Sequence, residues 1–167
     1  MKIRAESGND HQAIHALNLA AFETPAEANL VEALRLQADP CVSLVAEDAD
    51  EIIGHILFSP ATLSADQGLF VMGLGPMAVS PGRQREGVGS ALLLAGLERC
   101  RQLGCQAVFV LGHPRYYPRF GFVPASRFDI ASVYDVPDDV FMALELEPGA
   151  LAGKAGTMHY HHAFDGL

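Results

Sequence analysis

The chain has 167 residues, of which 50% are hydrophobic, and this size fits one domain or one domain with a small appendage. The formal net charge of −9 argues against nucleic acid as the main ligand, because phosphate backbones are bound by an excess of Lys and Arg. No apolar run reaches the roughly 18 residues of a membrane span, and the N-terminus lacks the apolar segment of a secretory signal.

The spacing of apolar and turn-forming residues predicts a mixed α/β domain with one central sheet. Strands are predicted at residues 3–6, 41–47, 51–59, 69–79, 107–111, 141–146 and 157–164. Helices are predicted at residues 11–22, 25–37 and 87–103, and a short helix follows the turn at residues 112–118. The turn at 48–50 makes an antiparallel hairpin, a second turn lies at 64–68, and the strand at 107–111 is expected to pair in parallel.

The long predicted strand at residues 69–79 contains residues that disturb regular pairing. Gly73, Gly75 and Pro76 all lie inside it. Glycine and proline within a strand usually mark a bulge or a sheet edge. We therefore expect this strand to separate from a neighbour and to leave backbone groups free to pair with a ligand.

The turn after this strand has the features of an anion site. Ser80-Pro81-Gly82 ends the strand, and Arg83 and Arg85 precede two glycines and a helix. The first amides of a helix lack intrahelical partners, and the helix dipole adds partial positive charge there. A solvated basic loop is the alternative interpretation of the same residues.

Two nucleotide motifs fail at this turn. A P-loop requires Gly-Lys at its end, and Val88 stands in place of the lysine after Gly87. A dinucleotide fingerprint requires a third small residue, and Leu92 occupies that position after Gly87-Val88-Gly89. The alternative Gly73-Leu74-Gly75 with Ala78 is followed by strand instead of helix.

The pattern Q/R-x-x-G-x-G/A does match, at Gln84-Arg85-Glu86-Gly87-Val88-Gly89 after an apolar strand. Farther along, the strand at 107–111 precedes Tyr117-Pro118-Arg119-Phe120-Gly121-Phe122, a Y-x-x-F-G-F segment. In both segments and in element order the chain resembles the GCN5-related N-acetyltransferase (GNAT) family, over residues 2–146. Residues 147–167 resemble a subgroup of predicted bacterial acetyltransferases of unassigned substrate.

This resemblance implies a single domain over residues 1–167 with a mixed, mostly antiparallel sheet flanked by helices. It implies acetyl-CoA as the acyl donor, with its pyrophosphate held by amides after the bulged strand. Its pantetheine arm would pair with that strand like an extra strand. The implied donor contacts are Met77, Ala78, Val79, Gln84, Arg85, Glu86, Gly87, Val88, Gly89 and Ser90. Arg83 and Arg85 would add positive charge. Glu86 departs from this pattern, because it places a negative charge near the phosphates.

Tyr117 occupies the family's general-acid position, where it would protonate the departing thiolate. The alternative is an aromatic side chain that only packs, which is the role we expect for Tyr116. An amide near Met77 or Ala78 would bind the oxyanion. No general base is assigned, because many family members relay the proton through water. Candidates by position are Glu23, Glu27, His55 and His113.

Three cysteines, Cys41, Cys100 and Cys105, are too few for a disulfide framework, so we expect a reducing, cytoplasmic setting. None of them lies near the predicted acyl site. Direct transfer to a primary amine in a ternary complex is therefore preferred over an acetyl-cysteine route.

The histidine-rich run near the C-terminus suggests a metal site at first sight. On a strand, His159 and His161 would face one side and His162 the other. No Cys, Asp or Glu accompanies them in a ligand-like spacing, so we expect an edge strand without a metal.

The sequence leaves the acceptor open. An acyl-CoA-binding or regulatory domain without catalysis is the alternative function, and the chain is expected to be a monomer or a homodimer. Whether acetyl-CoA or a longer acyl-CoA is the donor also stays open.

Overall fold

The computed structural model describes residues 1–64 and 68–166, so residues 65–67 of the predicted turn at 64–68 lie outside the described residues. The strands are β1 (Lys2–Ala5), β2 (Val42–Asp48), β3 (Glu51–Leu63), β4 (Val71–Val79), β5 (Ala107–Leu111), β6 (Val123–Pro124), β7 (Ile130–Ser132), β8 (Phe141–Glu145) and β9 (Gly156–His159). The α-helices are α1 (His11–Ala21), α2 (Ala26–Gln37) and α3 (Val88–Gln102).

The strands form one mixed sheet in the order β1-β2-β3-β4-β5-β8-β6. Only β4 and β5 run parallel along this path, as the apolar sequence of β5 predicts. Off the path, β9 pairs with the far end of β3 and in parallel with β7. The predicted mixed, mostly antiparallel sheet is therefore confirmed.

Helices cover both faces of the sheet. Along β3, Phe58 faces α3 and Leu57 faces α1 and α2, as the alternation of a strand requires. The packing of α3 is close, because a Cβ on Gly96 would lie 2.3 Å from the Phe58 ring. In the described part of the chain, no helix is long and apolar enough to cross a membrane.

The predicted last strand at 157–164 is wrong beyond His159. The chain instead turns into a 3-10 helix, His162–Gly166. This turn brings the rings of Tyr160 and Phe164 to 4.7 Å between centroids, and both side chains are buried. A continuous strand would hold two residues four apart about 13 Å from each other. Burial of both aromatic rings at one place therefore favours the turn.

The N-terminal strand is attached to the start of α1 through Asp10. Its carboxylate accepts hydrogen bonds from Arg4 Nη1 at 2.7 Å, from Arg4 Nη2 at 3.0 Å and from the Ser7 amide at 2.7 Å. The Arg4 guanidinium is the main reason that the pKa of Asp10 is lowered to about 2. Asp10 is only 6% exposed, while the side chain of its partner Arg4 is partly exposed.

Asp10→Asn should reduce the free energy of unfolding by about 2 kcal/mol at neutral pH, since it removes charge-assisted hydrogen bonds. The pKa of Asp10 is lower in the folded state than the value of about 3.9 expected after unfolding. The extra stability of the wild type over the variant is therefore fully present above a pH of about 3.9 and is lost as the pH falls to about 2. Urea denaturation of both proteins at pH 7 and pH 2.5 measures this. A difference that does not shrink in acid would contradict it, and the exposed Asp139→Asn is the control.

Candidate active site

The parallel strands β4 and β5 pair only along part of their length. Their register runs from Val71 opposite Ala107 to Leu74 opposite Val110. On its other edge, β4 stays paired with β3 out to Val79. Beyond Leu74, the β5-facing edge of β4 pairs with no strand in the described part of the chain, so the sheet opens there.

A bulge in β4 lies where the two strands separate. Opposite β3, Met77 pairs with Ile56 and Leu74 pairs with Phe58, which leaves an extra residue on β4. Gly75 and Pro76 lie within this shift, and Gly75 has a φ of 147°. The predicted bulge and the predicted separation from a neighbouring strand are therefore both present.

The end of β4 leads directly to the N-terminus of α3. Gly87 has a φ of 86° and precedes the first helical residue, Val88. The first intrahelical bond is donated by the Ala91 amide to the Gly87 carbonyl at 3.0 Å. The amides of residues 88–90 therefore precede the hydrogen-bonded ladder and point out of the helix end. Gln84 fixes the loop, because its Nε2 donates to the Val79 carbonyl at 3.2 Å.

The two arginines of this loop have different surroundings. Arg83 donates to Asp48 at 2.8 Å and to Glu86 at 3.0 Å, and these two carboxylates raise its pKa. Arg83 is thus occupied by two carboxylates, one of which is that of Glu86. Arg85 makes no ion pair with any other residue in 1–64 or 68–166, and its side chain is exposed. Of the two predicted charges, only that of Arg85 is free.

Tyr116 connects the Y-x-x-F-G-F segment to the start of α3. Its hydroxyl lies 3.0 Å from Ser90 Oγ, and its ring packs against Phe120. The prediction that Tyr116 belongs to the core is incomplete, because only its ring packs there. The polar end reaches the helix terminus, which hydropathy alone does not reveal.

Tyr117 begins the short 3-10 helix Tyr117–Phe120, and its ring is buried. The ring makes an edge contact with Phe122 at 5.6 Å between centroids. A Cβ on Gly112 would lie 2.2 Å from this ring, so only glycine leaves room for it. The Tyr117 hydroxyl makes no hydrogen bond to a residue that the structure describes, and burial raises its pKa to about 12.

Tyr117 lines a cavity of about 640 Å³ beside the opening between β4 and β5. The cavity also includes residues of the α1–α2 junction and of the C-terminal segment. Its lining residues are Phe22, Glu27, Leu30, Leu74, Gly75, Pro76, Met77, Val110, Leu111, Tyr117, Tyr134, Tyr160, Phe164 and Asp165. The arrangement therefore places Tyr117 and the open part of β4 on the wall of one largely apolar cavity.

Among the candidates for a base, the structure brings only Glu27 to the cavity wall. His55 is fully buried elsewhere, with its Nε2 2.8 Å from Ser43 Oγ, and burial lowers its pKa. Glu23 and His113 are exposed and do not line the cavity.

The histidine run is not arranged as predicted. Only His159 belongs to a strand, while the rings of His161 and His162 stack at 4.1 Å between centroids. His162 Nε2 lies 3.0 Å from Gln37 Oε1. Within residues 1–64 and 68–166, no group of three side chains could hold a metal ion.

Sequence reasoning missed the C-terminal wall of the cavity, formed by Tyr134, Tyr160, Phe164 and Asp165. Tyr160 and Phe164 are four residues apart, which is a helical spacing that the strand prediction overlooked. Nothing local in the sequence relates Tyr134 to them, although its ring lies 6.3 Å from that of Tyr160.

Comparison with known proteins agrees with this architecture. The model of the Acetyltransferase (GNAT) family matches residues 11–122. The uncharacterized N-acetyltransferase YhbS of Escherichia coli K12 is 34% identical over 99% of both chains. The crystal structure of E. coli YhbS in complex with CoA has a TM-score of 0.92 and covers 98% of this chain and 91% of that one.

Two further relatives show the same pattern. The uncharacterized N-acetyltransferase YjhQ of E. coli K12 is 38% identical over 87% of this chain and 85% of its own. A GNAT family acetyltransferase from Brucella melitensis, solved in complex with acetyl-CoA, is 34% identical with a TM-score of 0.80. That comparison covers 98% of this chain and 97% of the other. The resemblance predicted from the sequence is confirmed.

Gly112→Ala should destabilise the protein by about 1–3 kcal/mol, because the new methyl group would overlap the Tyr117 ring. In a Tyr117→Ala background the same substitution should cost less than half as much, because the overlapping ring is gone. Urea denaturation of the two single variants and the double variant measures this coupling. If the free-energy losses of the two single variants simply add in the double variant, Gly112 and the Tyr117 ring are not packed against each other. Gly82→Ala, with no atom within 4 Å of the new Cβ, is the control.

Proposed function

Because the chain belongs to the acetyltransferase (GNAT) family, we propose that it transfers acetyl from acetyl-CoA directly to a primary amine, with Tyr117 as general acid. The family makes the chain an N-acetyltransferase with acetyl-CoA as its donor. The observation that supports the mechanism is the position of Tyr117. Tyr117 lines the cavity that also reaches Met77, at the open edge of β4, and its hydroxyl makes no hydrogen bond to a described residue.

In the proposed complex, the backbone holds the diphosphate of CoA. The amides of residues 85–90 surround the N-terminus of α3, where the helix dipole favours negative charge. Gly87 and Gly89 allow close approach, and Gln84 keeps the loop on the end of β4. The ion pair with Arg83 weakens the repulsion between Glu86 and the ligand.

The pantetheine arm of the donor would extend along the open edge of β4, at Met77, Ala78 and Val79. Its amides can pair with strand backbone as an additional strand would. The side chains of Met77 and Val79 also contact the first turn of α3, since both lie 3.7 Å from a Cβ placed on Gly89. This path leads the thioester from the helix terminus to the cavity and to Tyr117.

The proposed reaction needs no covalent enzyme intermediate. The amine nitrogen attacks the thioester carbonyl carbon, and a backbone amide near Met77 or Ala78 stabilises the oxyanion. The C–S bond then breaks, and the electron pair leaves on sulfur. Tyr117 donates its proton to that thiolate, the nitrogen loses a proton to water, and water restores the tyrosine. The products are the N-acetylated amine and CoA thiol.

We also propose a cytoplasmic location. Cys41 is half-buried, Cys100 and Cys105 are buried, and all three are free thiols, as a reducing compartment would leave them.

Gly87→Ala should weaken acetyl-CoA binding about tenfold, because a side chain at this left-handed turn displaces the amides of the helix end. Gly104→Ala is a matched control. Both glycines have a positive φ, 86° and 89°, and neither has an atom within 4 Å of an added Cβ. Both variants should therefore lose about 1 kcal/mol of stability, and only the first should lose affinity. Isothermal titration with acetyl-CoA measures this, and equal affinities would contradict the assigned site.

Tyr117→Phe should lower kcat about 100-fold and leave the KM for acetyl-CoA unchanged, because it removes only the proton donor. Tyr116→Phe is the comparison, since it removes the hydroxyl next to Ser90 and should raise the KM for acetyl-CoA instead. Release of CoA thiol across a panel of primary amines gives both constants. An undiminished kcat would remove Tyr117 from the mechanism. Binding of acetyl-CoA without turnover of any amine would instead support a non-catalytic acyl-CoA-binding domain.

A further inference from the structure

One wall of the cavity is built from aromatic side chains. This aromatic wall consists of Tyr134, Tyr160 and Phe164, with ring centroids 6.3 Å apart for the first pair and 4.7 Å apart for the second. The Tyr160 ring is held in place over β4, where a Cβ on Gly73 would lie 2.5 Å from it. The Tyr160 part of the aromatic wall is therefore held in position by the sheet.

The only formally charged side chains among the described residues that line the cavity are two carboxylates. Glu27 comes from the first turn of α2, and Asp165 comes from the C-terminal turn. Among the described residues, Asp165 makes no ion pair, and the Glu27 carboxylate accepts a hydrogen bond only from the Thr24 hydroxyl, at 3.4 Å. Burial and then the negative charge of Asp165 raise the pKa of the Tyr134 phenol, so the carboxylate acts on the aromatic wall.

These features define what the cavity can accept. Aromatic faces and carboxylates both attract an organic cation, and an aromatic ring also packs well on the faces of other rings. An anionic group on the ligand would be repelled by Glu27 and Asp165. A polyhydroxylated body would find few hydrogen-bond partners against Leu30, Leu74 and Val110, and unpaired hydroxyls are costly when buried.

We propose that this cavity is the acceptor site and that it takes a primary amine carried on an aromatic body, an arylalkylamine without a carboxylate. The inference rests on the proposed function, because it assigns the other substrate of that reaction. The aromatic body lies against the aromatic wall, and Glu27 and Asp165 attract the ammonium group into the cavity. There the ammonium loses one proton to water, and the neutral amine attacks the thioester at the bulge of β4, beside Tyr117.

The size of the cavity agrees with this occupant. About 640 Å³ is within the range of roughly 300–1,000 Å³ usual for small-molecule sites. The residues from Leu74 to Met77 belong to the path of the donor, so the acceptor shares this volume with the acetyl end of acetyl-CoA. One aromatic ring with a short alkylamine chain fits the remaining part better than a large oligosaccharide does.

The test measures binding, so that it does not depend on turnover. Phenethylamine and L-phenylalanine, which differ by one carboxylate, are each titrated calorimetrically into the protein saturated with CoA. Phenethylamine should bind about tenfold or more tightly than phenylalanine, and kanamycin should bind weakly. Equal or tighter binding of phenylalanine or kanamycin would overturn the proposal.

Substitutions of the cavity side chains test which of them contribute to the binding of phenethylamine. Glu27→Gln and Asp165→Asn should each weaken phenethylamine about tenfold without changing acetyl-CoA affinity, and the exposed Asp139→Asn should have no effect. Tyr134→Ala removes a side chain that is 39% exposed, so the fold should persist. It should weaken phenethylamine and leave ethylamine unchanged. Affinities unaffected by all three cavity substitutions would overturn the proposal.

The failure of this inference can be told apart from a failure of the proposed function. If phenethylamine binds as expected but no amine is acetylated, the arylalkylamine-binding site stands, and both its role as an acceptor site and the catalytic proposal fall. If other amines are acetylated while phenethylamine does not bind, the enzyme stands and the aromatic acceptor is wrong.

Discussion

The whole site depends on one constraint, which is that β4 pairs fully with β3 but only partly with β5. The extra residue of β4 between Leu74 and Met77 lets the strand keep its pairing on one side while it leaves its neighbour on the other. The same strand carries Gly73, which makes room for the Tyr160 ring. The bulge thus opens the sheet for a ligand, and the neighbouring glycine admits an aromatic side chain to the opening. A regular strand at this place would permit neither.

The two halves of the site use different parts of the polypeptide. The proposed donor half consists mainly of backbone: the open edge of β4 and the first amides of α3. Backbone sites require particular conformations, and those conformations require glycine at particular positions, such as Gly87 with its positive φ. A backbone site therefore leaves a local pattern in the sequence. This is why the strand, the turn, the helix and the bulge could all be predicted before the structure was known.

The proposed acceptor half consists of side chains from distant segments. Glu27, Tyr134 and Asp165 meet only because the sheet brings α2 and the C-terminal segment to the same end, and no spacing in the sequence encodes that contact. The short strands β6 and β7 were missed for a related reason. They have only two and three residues, which is too short for an alternating pattern to be visible in the sequence. They are strands because β6 pairs with β8 and β7 pairs with β9. Tyr116 shows a further limit, because a tyrosine can pack its ring in a core and use its hydroxyl elsewhere.

The raised pKa of Tyr117 sets a condition on its role as an acid. A phenol with a pKa of about 12 stays protonated at every physiological pH, so the proton is always available. In water, its transfer to a thiolate of ordinary basicity, with a pKa of about 8.5, would be strongly uphill. The thiolate does not leave into water, however, but into a cavity with an apolar lining.

The protein itself shows what burial does to a thiol. The pKa of the half-buried Cys41 is raised to about 11, first by burial and then by the charge of Asp39. A thiolate that departs beside Leu74 and Val110 would also lose solvation, and this loss would raise its pKa toward that of Tyr117. Acid and leaving group are then more closely matched than they would be in water, which favours general acid catalysis. The apolar character of the cavity is therefore part of the proposed chemistry, and not only a means of binding the acceptor.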